Sequence, residues 1–138
     1  MARATPAQNE ASVLSFRREQ LGEGAQVAHV SLRRGESSLV HSHTNTRDTF
    51  YVVSGRLSVT LYESGGASRP SHWTTCSEAA EIRRQGDHLV RRFCLRPGDV
   101  LVIEPGVVHC AANLHEAPCS FLCIEGIGVY DFVLAEGS

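Results

Sequence analysis

No stretch of this chain is long and apolar enough to read as a membrane span. The N-terminal run MARATPAQNEASV lacks the apolar centre of a secretory signal. No block of one charge sign occurs, and the formal net charge is only −2, whereas a nucleic-acid or anionic-membrane partner would want a basic face. The one basic concentration, Arg83, Arg84, Arg91 and Arg92, is interleaved with Glu78, Glu81 and Asp87 and reads as solvated surface. CxxC spacing is missing and the five cysteines are odd in number, so no disulfide framework is expected and a cytoplasmic, reducing location is. Cys94, Cys110 and Cys123 lie in apolar runs and read as small buried hydrophobes. Cys119 and Cys123 frame a strand-like run, which does not suit a zinc pair. No internal repeat points to a solenoid, and no helix-turn-helix accompanies the chain.

What remains is an ordinary hydrophobic share in 138 residues, enough for one domain with a core that needs no staples. Most of the chain reads as strand: short runs of Val, Ile, Phe and Leu between turn residues. The clear strands are Val27–Leu32, Ser37–His43, Thr49–Val53 and Leu57–Tyr62, then His88–Leu95, Val100–Ile103, Val107–Ala112, Ser120–Glu125 and Gly128–Leu134. Ser54-Gly55 reads as a tight hairpin turn, and Arg96-Pro97-Gly98-Asp99 as a turn whose Pro presets φ and whose Gly supplies a positive one. Many short strands with Gly/Pro turns predict an all-β sandwich or barrel.

The stretch 64–86 departs from this pattern. It is polar, with Gly65-Gly66, Pro70 and a Ser/Thr cluster around Trp73, and reads as a long insertion that serves either as a lid or binding loop or as a surface loop or dimer contact. Within it, Ser77–Gln85 has helix formers behind a serine able to cap them, which predicts a short helix. Residues 1–11 read as a flexible leading segment.

The chemistry concentrates in His41-Ser42-His43. Residues two apart on a strand point to one face, so the two imidazoles project side by side. Asp48 lies across a polar turn, where an antiparallel return brings it near them. His109 follows the turn Glu104-Pro105-Gly106 on a distant hairpin. If the barrel joins the two hairpins, three imidazoles and a carboxylate converge, a donor set suited to Fe(II), Mn, Ni, Co or Zn with positions left open.

The spacing Gly35, five residues, His41-Ser42-His43, four residues, Asp48, six residues, Gly55 resembles the first motif of the cupin superfamily, with Asp48 where that motif has Glu. Gly98-Asp99, then Glu104-Pro105-Gly106, two residues, His109, three residues and Asn113 resembles the second, with Glu104 where proline is usual. The resemblance implies a single double-stranded β-helix, or jelly-roll, barrel over residues 1–138. It implies one divalent metal ion (Fe, Mn, Ni or Zn) held by His41, His43 and His109. Asp48 either ligates directly or orients a ligand imidazole from behind. Asn113 is expected to brace its own turn.

The resemblance further implies a metal-dependent enzyme acting on a small organic molecule, with dioxygenases, decarboxylases, lyases and sugar isomerases among the possible activities and oxygenation the leading one. The alternatives are a sensor or storage module without turnover, and a metal-free epimerase whose histidines serve as acid–base groups. Asp48, Glu104 and His29 are the candidate general bases. His72 and Trp73 could close over the barrel mouth, Tyr130 and Asp131 form an acid–base pair by type, and Phe50, Val52 and Ser54 share the parity of Asp48 and are expected to line the interior. The expected partners are a small-molecule substrate and a second copy of the chain, since barrel edges need cover and Val13–Phe16 is apolar enough to pair with a partner sheet.

Overall fold

A computed structural model describes residues 15–64, 71–76 and 80–135. The described residues contain no helix and build twelve strands. In chain order these are β1 (Ser15–Gly22), β2 (Ala25–Leu32), β3 (His41–Ser42), β4 (Arg47–Ser54), β5 (Leu57–Ser64), β6 (His72–Thr74), β7 (Glu81–Gln85), β8 (His88–Leu95), β9 (Val100–Ile103), β10 (Val108–Ala112), β11 (Cys119–Gly126) and β12 (Val133–Leu134). They form two six-stranded sheets, in the orders β1-β2-β11-β4-β9-β6 and β12-β3-β10-β5-β8-β7. All pairings are antiparallel, and most neighbours in a sheet are distant in sequence. The architecture is the all-β jelly-roll barrel that the strand pattern and motif spacing predict.

Alternation along the strands explains why the sheets face each other. On β11, Phe121, Cys123 and Glu125 are buried while Leu122 and Ile124 face out. On β4, Asp48, Phe50 and Val52 point in and Tyr51 and Val53 out, as their parity predicts. Ser54, of the same parity and expected inside, is instead exposed, because the strand ends there and leaves the barrel for the Gly55 turn. The shared core includes Leu32, Val52, Leu57, Val59, Leu61, Leu95 and Leu101, and each such side chain contributes about 1.5–3 kcal/mol by leaving water.

Two turns fix the motif hairpins. Gly55 has a φ of +76°, and a Cβ there would sit 2.5 Å from the Pro118 carbonyl oxygen, so neither its conformation nor its space admits a side chain. The Gly106 N–H donates to the His43 carbonyl at 2.7 Å and ties the second hairpin directly to the first. Asn113 is fully buried; its side-chain amide donates to the Leu32 and Ala117 carbonyls and its oxygen accepts from the His115 N–H. It braces its turn as expected and also joins that turn to β2.

Three expectations need correction. Ser77–Gln85 is not a helix: Glu81–Gln85 is β7, a strand on the edge of the second sheet paired with β8. Arg91 and Arg92 on β8 extend the ladder and supply the cross-strand partners that an isolated capped segment lacks; residues 77–79 lie outside the described residues. The stretch 64–86 is accordingly more than a loop, since His72–Thr74 is β6, paired with β9. Finally, Ser15–Gly22 pairs with β2 as the edge strand of the first sheet, and Phe16, from the apolar run Val13–Phe16 expected to meet a partner sheet, packs against its own core; Val13 and Leu14 lie outside the described residues. Residues 1–11 lie outside the described residues. Gly128–Leu134 contributes only the two-residue β12.

Candidate metal centre

The two motif hairpins meet edge to edge. His109 on β10 lies directly opposite His41 on β3, and Asp48 opens β4 on the facing sheet. His41, His43, Asp48 and His109 are all buried, and one ligand atom from each lies within 4.8 Å of the others. The ring centroids of His41 stand 4.8 Å from those of His43 and 4.5 Å from those of His109.

Backbone carbonyls set the tautomers. His41 Nδ1 is 2.6 Å from the Leu39 carbonyl, His43 Nδ1 2.6 Å from that of Asp131, and His109 Nδ1 2.8 Å from that of Val107. A carbonyl only accepts, so Nδ1 carries the hydrogen in all three rings and Nε2 of each neutral ring is left with its lone pair. Two of these atoms, His43 Nε2 and His109 Nε2, each stand 2.9 Å from the same oxygen, Asp48 Oδ2. A lone pair facing a carboxylate oxygen repels it unless a proton or another cation lies between. His43 Nε2 and Asp48 Oδ1 are moreover buried without an aligned hydrogen-bond partner. Neighbouring ligand atoms around an octahedral ion with bonds of about 2.1 Å stand about 3.0 Å apart. The donor set, its spacing and its orphaned atoms therefore fit a metal ion, and the cluster is able to hold one.

Electrostatics points the same way. Burial, opposed only in part, pushes the His41 imidazolium down to about 3, with His109 adding to the effect. Burial also works against a charged His43, but the adjacent Asp48 carboxylate and the Asp131 carbonyl outweigh it and raise that ring to about 9. Burial favours a neutral Asp48, yet His109 and His43 hold its carboxyl well below the ordinary range. Without metal, the cluster thus keeps positive charge where an ion would sit.

The other sequence candidates lie elsewhere. His29 is on the outer face of β2, with Nε2 2.7 Å from Glu19. Glu104 pairs with Arg47 at 2.8 Å on the surface. His72 packs edge-on against Phe93, and Trp73 is 60 % exposed. Tyr130 and Asp131 do approach the centre, as props: the Tyr130 ring lies 5.1 Å from that of His43, and Asp131 accepts from the Thr44 N–H through its carboxylate.

Two residues at the centre carry no motif. Phe132 stacks on His41 with centroids 4.2 Å apart. Glu125, buried on β11, faces Asp48 in register, and its carboxylate is held by Arg18 and Gln26. A carboxylate on the inward parity of an apolar strand was the available signal for Glu125; nothing in the sequence marks Phe132. Beside the cluster is a cavity of about 40 Å³, apolar at Ala28, Val30, Leu32, Phe50 and Phe121, polar at His41, Asp48 and Glu125.

Comparison with known proteins agrees with this architecture. Among solved structures, oxalate decarboxylase from Bacillus subtilis at pH 4.6 superposes with a TM-score of 0.65 at 20% identity, over 91% of this chain and 28% of that one. Lactobacillus farciminis oxalate decarboxylase in its formate complex gives 0.58 at 22% identity, over 81% and 27%. Bacillus subtilis oxalate decarboxylase studied for its Mn(II) centres gives 0.59 at 24% identity, over 81% and 24%. The chain spans about a quarter of the length of these proteins, and the likeness is one of fold. No curated protein matches. The cupin family profile matches residues 8–126, which takes in both motif hairpins and the facing strand β11, and the chain belongs to the cupin family.

Proposed function

We propose that this chain is a mononuclear metal-dependent enzyme of dioxygenase type, acting on a small organic molecule, with His41, His43, His109 and Asp48 as the ligands. The observation that carries the reading is the fixed orientation of three imidazoles: each Nδ1 is committed to a carbonyl, so the Nε2 atoms are free to bind an ion next to the Asp48 carboxylate. A divalent ion there would supply a Lewis-acidic centre, redox-active in the case of iron or manganese, with positions open to substrate. The chain's own contribution is to orient the rings, cover His41 with Phe132, and line the space beside the cluster with mostly apolar side chains that keep bulk water from it.

Oxalate decarboxylase chemistry is not carried over, because those relatives support the fold alone. Cytoplasmic residence belongs to the same proposal and rests on five cysteines that are odd in number and lack CxxC spacing. So does a homodimer, supported by the exposed Tyr51, Val53 and Trp73 on the first sheet; a monomeric mass by light scattering would remove it.

The deciding experiment is elemental analysis of tag-free protein followed by oxygen-electrode measurements on the Fe(II)- and Mn-loaded forms with a panel of small substrates. Near one equivalent of metal in the parent and much less in His43→Ala and His109→Ala is expected. Failure to bind iron, manganese, nickel or zinc after reconstitution would end the reading. Metal binding without substrate-dependent oxygen uptake would turn it towards a binding module.

A further inference from the structure

Three connections meet at one end of the barrel: residues 55–56 between β4 and β5, 96–99 between β8 and β9, and 113–118 between β10 and β11. Asp48 and His109 stand near the other ends of β4 and β10, so this end lies away from the histidine cluster. Between the three turns is a pocket of about 370 Å³, walled by Gly55, Arg56, Arg96, Pro97, His115 and Ala117. It has room for about a dozen waters at liquid density, which is more than a bare ion fills.

The turns are braced from within. The Gly98 N–H donates to the Val52 carbonyl at 2.9 Å, the Arg96 N–H to Asp99 Oδ2 at 2.8 Å, and the His115 N–H to Asn113 Oδ1 at 2.9 Å. The His115 ring is tied to β8, with Nε2 3.8 Å from Cys94 Sγ. Every ionisable side chain that lines the pocket is an arginine or a histidine. The neighbouring carboxylates are engaged elsewhere: Asp99 accepts from the Arg96 main chain, and Glu116 pairs with Arg34 at 2.6 Å. Arg96 has other contacts as well, and the five N–H donors of a guanidinium serve several acceptors at once.

We infer that this pocket is a binding site for a small organic phosphate, whose phosphoryl group is received by Arg56 and Arg96. Two guanidiniums on two braced turns present fixed forks of N–H donors to one space, the geometry that suits an oxyanion. A carboxylate brings one charge and two oxygens, which one arginine satisfies. A phosphate monoester brings about 1.5–2 charges and three acceptor oxygens, which match two. Both arginines are exposed, so solvent screens each contact and neither alone gives strong binding. The uncharged walls at Gly55, Pro97 and Ala117 leave space for the organic part of the molecule. The site stands apart from the histidine cluster and does not depend on the metal-dependent reading.

The test titrates the full chain with phenyl phosphate, inorganic phosphate and benzoate in turn at constant ionic strength. The backbone resonances of Gly55, Arg56, Arg96 and Ala117 are followed by NMR, so the readout is local to the turns. Saturable shifts are expected with phenyl phosphate, weaker ones with inorganic phosphate, and the weakest with benzoate. Arg56→Gln and Arg96→Gln should each weaken phenyl phosphate binding by about twofold to fivefold, the worth of an exposed charge contact, and the double variant by about tenfold. Arg17→Gln removes the same charge from β1 and should change nothing, and an unchanged Tm in each variant shows that the fold is kept. Four results would each overturn the inference: no saturable shift; benzoate binding as tight as phenyl phosphate; equal weakening in Arg17→Gln; or inorganic phosphate binding as tightly as phenyl phosphate, which would mean an adventitious ion only.

Discussion

Leu61 and His109 face each other across β5 and β10, and both are buried to within 1 %. Leu61 belongs to the apolar body of the barrel, with Leu57, Val59, Leu95 and Leu101. His109 belongs to the polar end, with His41, His43, Asp48 and Glu125. The body is dry because burial there is favourable; the polar end is dry although burial there costs free energy, which carbonyl anchors and charge pairing offset. Equal burial therefore separates a region that holds the fold from one held by it. The body is not expected to sense metal, and the polar end is expected to be most stable when a cation sits in it.

The largest expected effect tests the first half of that contrast. Leu101 is fully buried between β4 and β6 on the first sheet. Leu101→Ala should lower unfolding free energy by about 2–5 kcal/mol in a urea titration, through lost transfer energy and a residual cavity. Its metal content per folded chain should equal that of the parent. A loss of metal in proportion to stability would show that body and polar end are one cooperative device.

The second half is tested by metal removal. A ligand at a hundred times its dissociation constant stabilises the folded state by about 2.7 kcal/mol. Metal at that excess should raise the parent's Tm by several degrees and leave His109→Ala unchanged in differential scanning fluorimetry. An equal rise in the variant would place the ion elsewhere.

How far the contrast was legible in the sequence depends on range. Parity along one strand sufficed for His41, His43, Phe50 and Val52, because neighbours two apart share a face whatever the topology. His109 needed the second motif, and its spacing carried that information. Glu125 needed strand order: β11 lies beside β4 only because the chain crosses between sheets, and no local pattern encodes the crossing. Phe132 sits in a segment with almost no regular structure, held by what it covers. β6 and β7 were masked by composition, since their polar residues suit exposed edge strands as well as a loop or helix. Phe16 stood out as the end of an apolar run, but the Arg, Glu and Gln residues after it hid the rest of β1.

A smaller effect comes from pH and concerns the metal-free protein. His41 has its pKa depressed to about 3 from 6.5, so the unfolded chain binds that proton more readily and stability rises with pH from about 3 to 6.5. His43 has its pKa raised from 6.5 to about 9, so its contribution is complete below 6.5 and is lost as pH climbs towards 9. The metal-free chain should be most stable near pH 6.5 and weaken on the alkaline side. With metal bound the alkaline weakening should vanish, because the ion replaces the proton on His43. Parallel Tm profiles with and without metal would refute the assignment of His43.

The smallest expected effect sits on the boundary between the two regions. Phe132 stacks on His41 at an interplanar angle of 18°, lies 6.0 Å from the His43 ring, and precedes β12, which pairs with β3. An aromatic contact of this kind is worth about 0.5–1.5 kcal/mol beyond its area. Phe132→Ala should therefore cost little global stability but loosen His41, the one imidazole of the cluster that has no carboxylate within hydrogen-bonding distance. Metal affinity should fall about threefold to tenfold in a competition titration with a chelator, and Phe132→Leu, which covers the ring without stacking on it, should recover part of the loss. Full recovery by leucine would mean that the strap only excludes water. No recovery would mean that ring orientation is what Phe132 provides, which would place the functional boundary of the polar end one layer outside its four proposed ligands.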